Sequence, residues 1–153
     1  FRMFPGNEVR LMNAYFVKCV GCDKDADGNI TTIHCTYDQE SRGGNSPDGR
    51  KVKGTIHWVS AEYGKRVTVR LYENIVNEEL GVYNEDGSLN LNPNSLTVLT
   101  ESVVEPALME AQAYESFQFV RQGFFCADYK DSKPGQPVFN RIVSLKSSFK
   151  LPS

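Results

Sequence analysis

The sequence has no apolar run long enough to cross a membrane, and its first residues do not have the pattern of a secretory signal. A membrane helix needs about 20 predominantly apolar residues, and no stretch of these 153 residues approaches that length. A signal peptide would begin with a basic segment, followed by an apolar run and a cleavage site. The two absences predict a cytoplasmic protein without a membrane partner.

The sequence also has no excess of basic residues. It contains 17 lysines and arginines against 19 aspartates and glutamates, which gives a formal net charge of −2. Proteins that bind nucleic acid mainly through charge usually carry a clear basic excess. Any RNA binding by this chain is therefore predicted to use local patches and base-specific contacts.

Cysteine is scarce, and its spacing is not that of a metal site. A structural zinc site usually takes two closely spaced pairs of ligands, and only Cys19 and Cys22 form such a pair. The other two cysteines, Cys35 and Cys126, stand apart. Two disulfides or one zinc site remain open as alternatives, but free or buried thiols fit the spacing better, so we predict no metal site.

Motifs for catalysis are missing as well. Gly43 and Gly44 are followed by asparagine and serine rather than by lysine and a helix, so they do not form a phosphate-binding loop. His34 and Cys35 are neighbours in a predicted strand and therefore point to opposite faces, which excludes a catalytic pair through that adjacency. We predict no catalytic residue and no cofactor within this chain.

Residues 23–30 match the first half of a calcium-binding loop, which needs oxygen ligands at alternate positions and a glycine at the sixth. A glutamate should complete such a site at the twelfth position, where this chain has His34. The flanking sequence is also typical of strands rather than helices. We interpret the segment as a polar hairpin turn around Asp27 and Gly28.

Short segments rich in β-branched and aromatic residues recur along the chain, separated by clusters of Gly, Asn, Asp and Pro. About eight such segments predict strands, and only residues 105–112 have a helical pattern, with a proline in the first turn. Two loops are predicted at residues 39–50 and 77–94. We therefore predict an all-β fold of small barrels or a sandwich rather than a parallel sheet. The predicted strands cover residues 9–20, 30–37, 52–59, 66–72, 96–99, 116–121, 123–128 and 138–145.

Three polar residues are candidates for binding. Arg2 and Arg10 flank a Pro-Gly turn at the start of the first predicted strand, and Gln118 lies between Phe117 and Phe119. If the two phenylalanines face a core, strand alternation turns Gln118 outward. Its amide can then read a base edge with a donor and an acceptor at once. From the pattern alone, each of the three polar residues can equally be a solvated surface residue.

Several stretches resemble, in order, the C-terminal anticodon-binding β-barrel region of the glutaminyl-tRNA synthetase family. The match extends over nearly the whole chain, and most of its residues have no chemistry that convergence would demand. Its most specific block is the run from glycine to serine at residues 49–60. The other matching stretches are residues 8–15, 27–33, 117–121, 123–126 and 137–141.

The resemblance implies two β-barrels of the ribosomal L25-like kind, a distal one at residues 1–64 and a proximal one at residues 65–153 that upstream strands would complete. Such barrels unstack the anticodon bases into separate pockets, and unpaired loop bases are where sequence-specific RNA recognition is physically possible.

Carried over residue by residue, the resemblance implies that Arg10 serves the first anticodon base and its phosphate. It implies that Gln118 reads the middle uracil and that Arg2 reads the third-base guanine, to which a guanidinium can donate two parallel hydrogen bonds. Where the family often carries a second arginine, this chain has Met12, so a different first-base pocket is expected.

The partners implied by the resemblance are the anticodon loop of tRNA(Gln) and a catalytic domain in the same chain. The parent enzyme would use ATP and magnesium and act as a monomer, whereas this chain, which begins Phe1-Arg2-Met3, is expected to be a fragment without the catalytic domain. The alternatives are the equivalent region of a eukaryotic- or archaeal-type glutamyl-tRNA synthetase, a ribosomal L25-like protein that binds 5S rRNA, and a structural barrel without RNA.

Overall fold

The computed structural model describes residues 3–43, 45–77 and 79–145. Nine β-strands and two short 3-10 helices lie within these ranges, and none of the described residues belongs to an α-helix. The all-β fold predicted from the sequence is therefore confirmed. The chain divides into two compact units, residues 1–58 and 59–153.

The first unit contains one mixed four-stranded sheet with the order β3-β2-β1-β4. Strands β1 and β2 pair antiparallel, as do β2 and β3, whereas β1 and β4 run parallel. The fourth strand is much shorter than the predicted strand at residues 52–59, because only two of its residues join the ladder. The strands are β1 (Glu8–Leu11), β2 (Phe16–Lys24), β3 (Ile30–Asp38) and β4 (Thr55–Ile56).

The single strand predicted at residues 9–20 is wrong, because a tight turn divides it into β1 and β2. Asn13 adopts a left-handed conformation with φ of 56°, which asparagine tolerates better than most residues. The backbone N–H of Ala14 donates to the carbonyl of Leu11 at 3.0 Å, and the N–H of Leu11 donates to the carbonyl of Tyr15 at 2.9 Å. The turn folds β2 back onto β1 and brings Arg10 opposite Phe16.

The hairpin turn predicted between β2 and β3 is present. Gly28 has a φ of 83°, and Asp25 Oδ1 accepts hydrogen bonds from the backbone N–H groups of Asp27 at 3.0 Å and Asn29 at 2.8 Å. Hydrogen bonds, first from the Asn29 side chain and then from its backbone, hold the pKa of Asp25 below its usual value. This carboxylate thus stabilises the turn itself, which accounts for the half-match to a calcium loop.

The second unit contains a five-stranded sheet with the order β6-β5-β9-β8-β7. The pairings are antiparallel except between β5 and β9, which are parallel. Where the sequence predicts a helical connector, Pro106–Glu110 forms a 3-10 helix with its proline in the first turn. The strands are β5 (Lys65–Tyr72), β6 (Leu96–Val104), β7 (Ser116–Phe119), β8 (Gly123–Ala127) and β9 (Val138–Ser144).

The core of the second unit forms between the inward faces of its strands. Phe139 has no exposed surface and lies in β9, between β5 and β8. Phe117 and Phe119 pack against this core from β7. The core residues are Val67, Val69, Val104, Phe125, Ala127 and Phe139.

The turn after β8 is organised by one carboxylate, that of Asp128. Its Oδ1 atom accepts from the N–H groups of Lys130 at 2.8 Å and Asp131 at 2.7 Å, and its Oδ2 atom accepts from Asn140 Nδ2 at 2.6 Å. The backbone hydrogen bond from Asp131 is the main cause that lowers the pKa of Asp128, and Arg70 contributes through its charge. Ionised Asp128 therefore contributes to folding stability.

We expect this contribution to depend on pH. The folded-state pKa of Asp128 lies below the unfolded value of about 3.9, so its stabilisation is full above that pH and is lost as the pH falls through the folded-state value. Asp128→Asn should lower the free energy of unfolding at pH 7. The difference in this free energy between variant and wild type should shrink as the pH falls below about 4. Urea unfolding at a series of pH values measures this. A difference that stays constant from pH 7 into the acid range would contradict the assignment.

Candidate nucleic-acid interface

Arg10 lies near the middle of the first unit's sheet. It pairs with Phe16 of β2 on one side and with Thr55 of β4 on the other. The carbon of its guanidinium lies 5.0 Å from the centroid of the Phe16 ring, a distance typical of a cation–π contact. The ring therefore supports the guanidinium from inside the unit.

The guanidinium of Arg10 is only partly satisfied by the protein. Its Nη2 atom donates to Asn45 Oδ1 at 3.3 Å, and its Nε atom is buried without a hydrogen-bond partner. No ion pair joins Arg10 to a carboxylate of the described residues. Within the part of the chain that the structure describes, Asn45 is thus the hydrogen-bond acceptor of Arg10, and the contact of Arg10 with RNA stays a prediction.

A second arginine, Arg50, contacts the same ring and is fully occupied. Its Nε and Nη2 atoms donate to the two carboxylate oxygens of Glu8 at 2.9 and 2.8 Å. Its Nη2 atom also donates to Asp38 at 2.6 Å. Its Nη1 atom donates to Asp48 at 2.6 Å and to Ser46 Oγ at 2.7 Å. All five N–H donors of this guanidinium therefore have acceptors within the protein.

The charges in this network stabilise one another. The hydrogen bonds that Arg50 donates to Glu8, Asp38 and Asp48, in that order of effect, raise its pKa. The hydrogen bond from Arg50 is also the main cause that lowers the pKa of Asp38. The guanidinium carbon of Arg50 also lies 5.2 Å from the centroid of the Phe16 ring. Arg10 and Arg50 therefore share one buried ring.

Met12, which stands where the family often has a second arginine, lies in the turn between β1 and β2. Its N–H donates to the carbonyl of Ile56 at 3.0 Å, and its carbonyl accepts from Trp58 Nε1 at 2.9 Å. The backbone of the turn is thus held in place, but the thioether carries no charge and no hydrogen-bond donor. Met12 cannot replace an arginine as a phosphate contact.

Gln118 lies in β7 of the second unit and its side chain is exposed. Its neighbours Phe117 and Phe119 face inward, with ring centroids 5.9 and 5.3 Å from that of Phe139. The alternation expected from the sequence is therefore confirmed. Phe119 also stacks on Phe125 at 4.4 Å, so both flanking side chains are anchored in the core.

The surface around Gln118 combines a polar group with an aromatic ring. Phe124 of β8 is the direct cross-strand partner of Gln118 and is 42% exposed. The turn that follows β7 carries Arg121, which is exposed and has a φ of 65°. An outward amide beside an exposed ring is suited to an unstacked base, which needs both edge contacts and a stacking surface.

The third residue predicted to bind RNA, Arg2, lies outside the described residues. Arg10 belongs to the first unit and Gln118 to the second. Sequence reasoning did not find Arg50, Asn45 or Phe124. The pairing of Phe124 with Gln118 could have been found from the hairpin pattern of residues 116–127, whereas the contacts of Arg50 could not.

The histidine and the cysteine considered for catalysis, His34 and Cys35, lie in ordinary positions of the β2–β3 ladder. His34 Nε2 lies 2.7 Å from Asp23 Oδ2 on an exposed face, and Cys35 lies opposite Cys19 in the β2–β3 ladder. Cys35 is exposed, and partial desolvation beside the β2 strand, followed in effect by the nearby Cys19, raises the pKa of its thiol. Among the described residues, the four cysteines are free and no cluster of three metal-ligating side chains occurs. No helix in the described ranges is long and apolar enough to span a bilayer.

Comparison with known families defines the class of this chain. The anticodon-binding domain of class I tRNA synthetases (E and Q) matches residues 55–128, and a second domain with the same description matches residues 1–38. The chain belongs to this family of anticodon-binding domains.

Within that family, the chain is similar to glutamine–tRNA ligases. It is 51% identical to the ligase of Clostridium kluyveri over 99% of this chain and 28% of the relative. It is 49% identical to that of Pseudomonas syringae pv. tomato, over 97% of this chain and 26% of the relative. A third ligase, from Vibrio vulnificus, is 48% identical over the same shares. The chain thus spans about a quarter of the length of these relatives, and the resemblance found in the sequence is confirmed.

Proposed function

We propose that this chain recognises the anticodon loop of tRNA(Gln) as part of a glutamine–tRNA ligase that joins glutamine to tRNA with ATP. The observation that carries the proposal is the placement of Gln118. Its amide points outward from a strand whose flanking phenylalanines are anchored in the core, and it lies beside the exposed ring of Phe124.

The two barrels implied by the resemblance divide the work in this proposal. The distal barrel, residues 1–64, would bind the first anticodon base and its phosphate through Arg10. The proximal barrel, residues 65–153, would read the middle uracil through Gln118, and Arg2 would read the third-base guanine. Only Arg10 and Gln118 can be supported by geometry, because Arg2 lies outside the described residues.

The rest of the parent protein follows from the relatives. Their name, glutamine–tRNA ligase, favours glutamine over glutamate and favours a synthetase over a ribosomal protein. A catalytic domain in the same chain would bind ATP and magnesium, and the whole protein would act as a cytoplasmic monomer. This chain would contribute recognition and no catalytic residue.

The roles of Gln118 and Arg10 predict different effects of mutation in the full-length ligase. Gln118→Ala should remove hydrogen bonds to the middle base, which weakens binding by about 1–3 kcal/mol and reduces the preference for uracil there. Arg10→Ala should weaken binding more evenly across anticodon variants and flatten its salt dependence, because a neutralised phosphate acts through counterion release. The measurement is tRNA affinity for matched anticodon variants at two salt concentrations.

Gln122→Ala is the matched control, because Gln122 is an exposed glutamine in the same hairpin. Its backbone N–H donates to the carbonyl of Phe119. This substitution should leave the preference for uracil unchanged. Arg2→Ala should lower the preference for guanine at the third base. If Gln118→Ala retained both tight binding and the uracil preference, the proposed role of Gln118 would be wrong.

A further inference from the structure

The carboxylates nearest to Arg10 in the ladder are engaged by another arginine. Glu8 is two residues before Arg10 in β1, so the two side chains share a face of the sheet. Asp38 is the ladder partner of Phe16, which is itself the partner of Arg10. Both carboxylates nevertheless bind the guanidinium of Arg50 rather than that of Arg10.

We propose that Arg50 is a positioning residue for Arg10, because it withholds the carboxylates of Glu8 and Asp38 and so leaves the Arg10 guanidinium available for RNA. The inference rests on the proposed role of Arg10 in binding the first anticodon nucleotide. Arg50 itself has no donor left for a ligand, since its five N–H groups are all satisfied within the protein.

Both guanidinium groups contact one ring, and Glu8 and Asp38 occupy positions of the same ladder that neighbour Arg10. The central carbons of the two guanidinium groups lie 5.0 and 5.2 Å from the centroid of that ring, that of Phe16, which is fully buried. Among the described residues, the acceptor of Arg10 is a neutral group, Asn45 Oδ1, at 3.3 Å. Two half-buried carboxylates without Arg50 would be costly to leave unpaired. The cations that neighbour them in the ladder are Arg10 and Lys18, the direct partner of Glu8.

An arginine paired in this way would have to leave its carboxylate before it could bind a phosphate. The competition would weaken RNA binding and would remove one counterion-releasing contact from the salt dependence. Arg50 would thus contribute to RNA binding without touching RNA, because it keeps the Arg10 guanidinium free of carboxylates.

The test uses the full-length ligase and tRNA affinity measured at several salt concentrations. Arg50→Gln should weaken tRNA binding by about tenfold, as expected for loss of one charged hydrogen-bonded contact, and should flatten the salt dependence as Arg10→Ala does. The triple variant Arg50→Gln, Glu8→Gln, Asp38→Asn should recover to within about threefold of wild type, because the two carboxylates that neighbour Arg10 in the ladder are then neutral amides. If Arg50 acted only by stabilising the fold, the two added amides would not restore tRNA binding.

The exposed Arg42 gives a matched control, since Arg42→Gln removes the same charge from the same unit and should change affinity much less. The triple variant leaves no buried carboxylate unpaired, so it remains informative if Arg50→Gln alone folds poorly. Weak binding by the folded triple variant would overturn the positioning role, as would normal binding by Arg50→Gln.

A second variant tests the same idea without altering the network. Asn45→Asp places a carboxylate at the neutral acceptor of Arg10 on an exposed loop, and it should weaken tRNA binding and flatten its salt dependence. In an Arg10→Ala background, Asn45→Asp should have little further effect on tRNA affinity. If the new carboxylate acted instead by repelling RNA directly, it would weaken binding in that background too. If Arg10→Ala alone had no effect, the proposed RNA role of Arg10 would fail together with this inference. If Arg10→Ala weakened binding but Asn45→Asp did not, only the inference would fail.

Discussion

Phe139→Ala is expected to lower the free energy of unfolding by about 3–5 kcal/mol, as for other large aromatic residues truncated in a core. Phe139 has no exposed surface. Its ring makes edge-to-face contacts with the rings of Phe117 and Phe119, with interplanar angles of 86° and 66°. Alanine would leave a cavity between β5 and β8 that these side chains can only partly fill. Urea unfolding followed by circular dichroism measures the loss.

Phe124→Ala is the matched control, because it removes the same side chain from the exposed face of the neighbouring strand. It should cost much less, since a large part of its ring is already in contact with water. A second consequence links the core to recognition, because Phe117 and Phe119 hold the strand that presents Gln118. Phe139→Ala should therefore also reduce discrimination for uracil at temperatures where the protein stays folded. Equal costs for the two variants would show that Phe139 is not the centre of this core.

The alternation of β7 is a part of the site that could be predicted from the sequence. A polar residue between two phenylalanines has only one arrangement in a strand with one buried face, because successive side chains point to opposite sides. Burial of the two phenylalanines determines which face of the strand is inward, and the Gln118 side chain therefore lies on the exposed face. A different argument, from turn chemistry, predicted the β2–β3 hairpin, because the Asp27-Gly28 pair favours a tight turn.

The turn at Met12–Ala14 could not be placed from the sequence, because its flanks continue the β-type composition without a break. Asn13 is the one local signal, and asparagine in a left-handed conformation is common but not obligatory. The predicted strand at residues 52–59 failed for a related reason. Its residues alternate in polarity along the sequence, but a strand also needs a partner, and β1 pairs with only two of them.

The surroundings of Arg10 lay beyond sequence reasoning because they depend on long-range register. Glu8 and Arg50 are separated by 42 positions in the sequence, and nothing local indicates that Glu8 pairs with Arg50 instead of with Arg10. The parallel pairing of β5 with β9 is equally non-local. Family resemblance implied which residues would contact RNA, whereas the pairing of Arg50 with Glu8 and Asp38 becomes visible only in the folded chain.

Gly123→Ala is the second substitution expected to have a large effect. Gly123 begins β8 with a φ of 148°, a conformation that L-residues rarely adopt. A Cβ atom there would lie 2.5 Å from the carbonyl oxygen of Val143 and 3.3 Å from the Cα of Ser144. Both contacts are with backbone, so no side chain can rotate away. Backbone strain and overpacking together should lower the free energy of unfolding by about 2–5 kcal/mol, measured by urea unfolding.

The effect on recognition should follow from the same geometry. Gly123 pairs with Phe119 at the closed end of the β7–β8 hairpin, and a shift there changes the register in which Gln118 meets Phe124. We therefore expect Gly123→Ala to reduce the preference for uracil as well as stability. Gly135→Ala is the control, because Gly135 also has a positive φ, of 71°, but a Cβ atom added there would have no other atom within 4 Å. Its cost should be limited to about 1 kcal/mol of backbone strain, and a cost equal to that of Gly123→Ala would show that the close approach of β9 is unimportant.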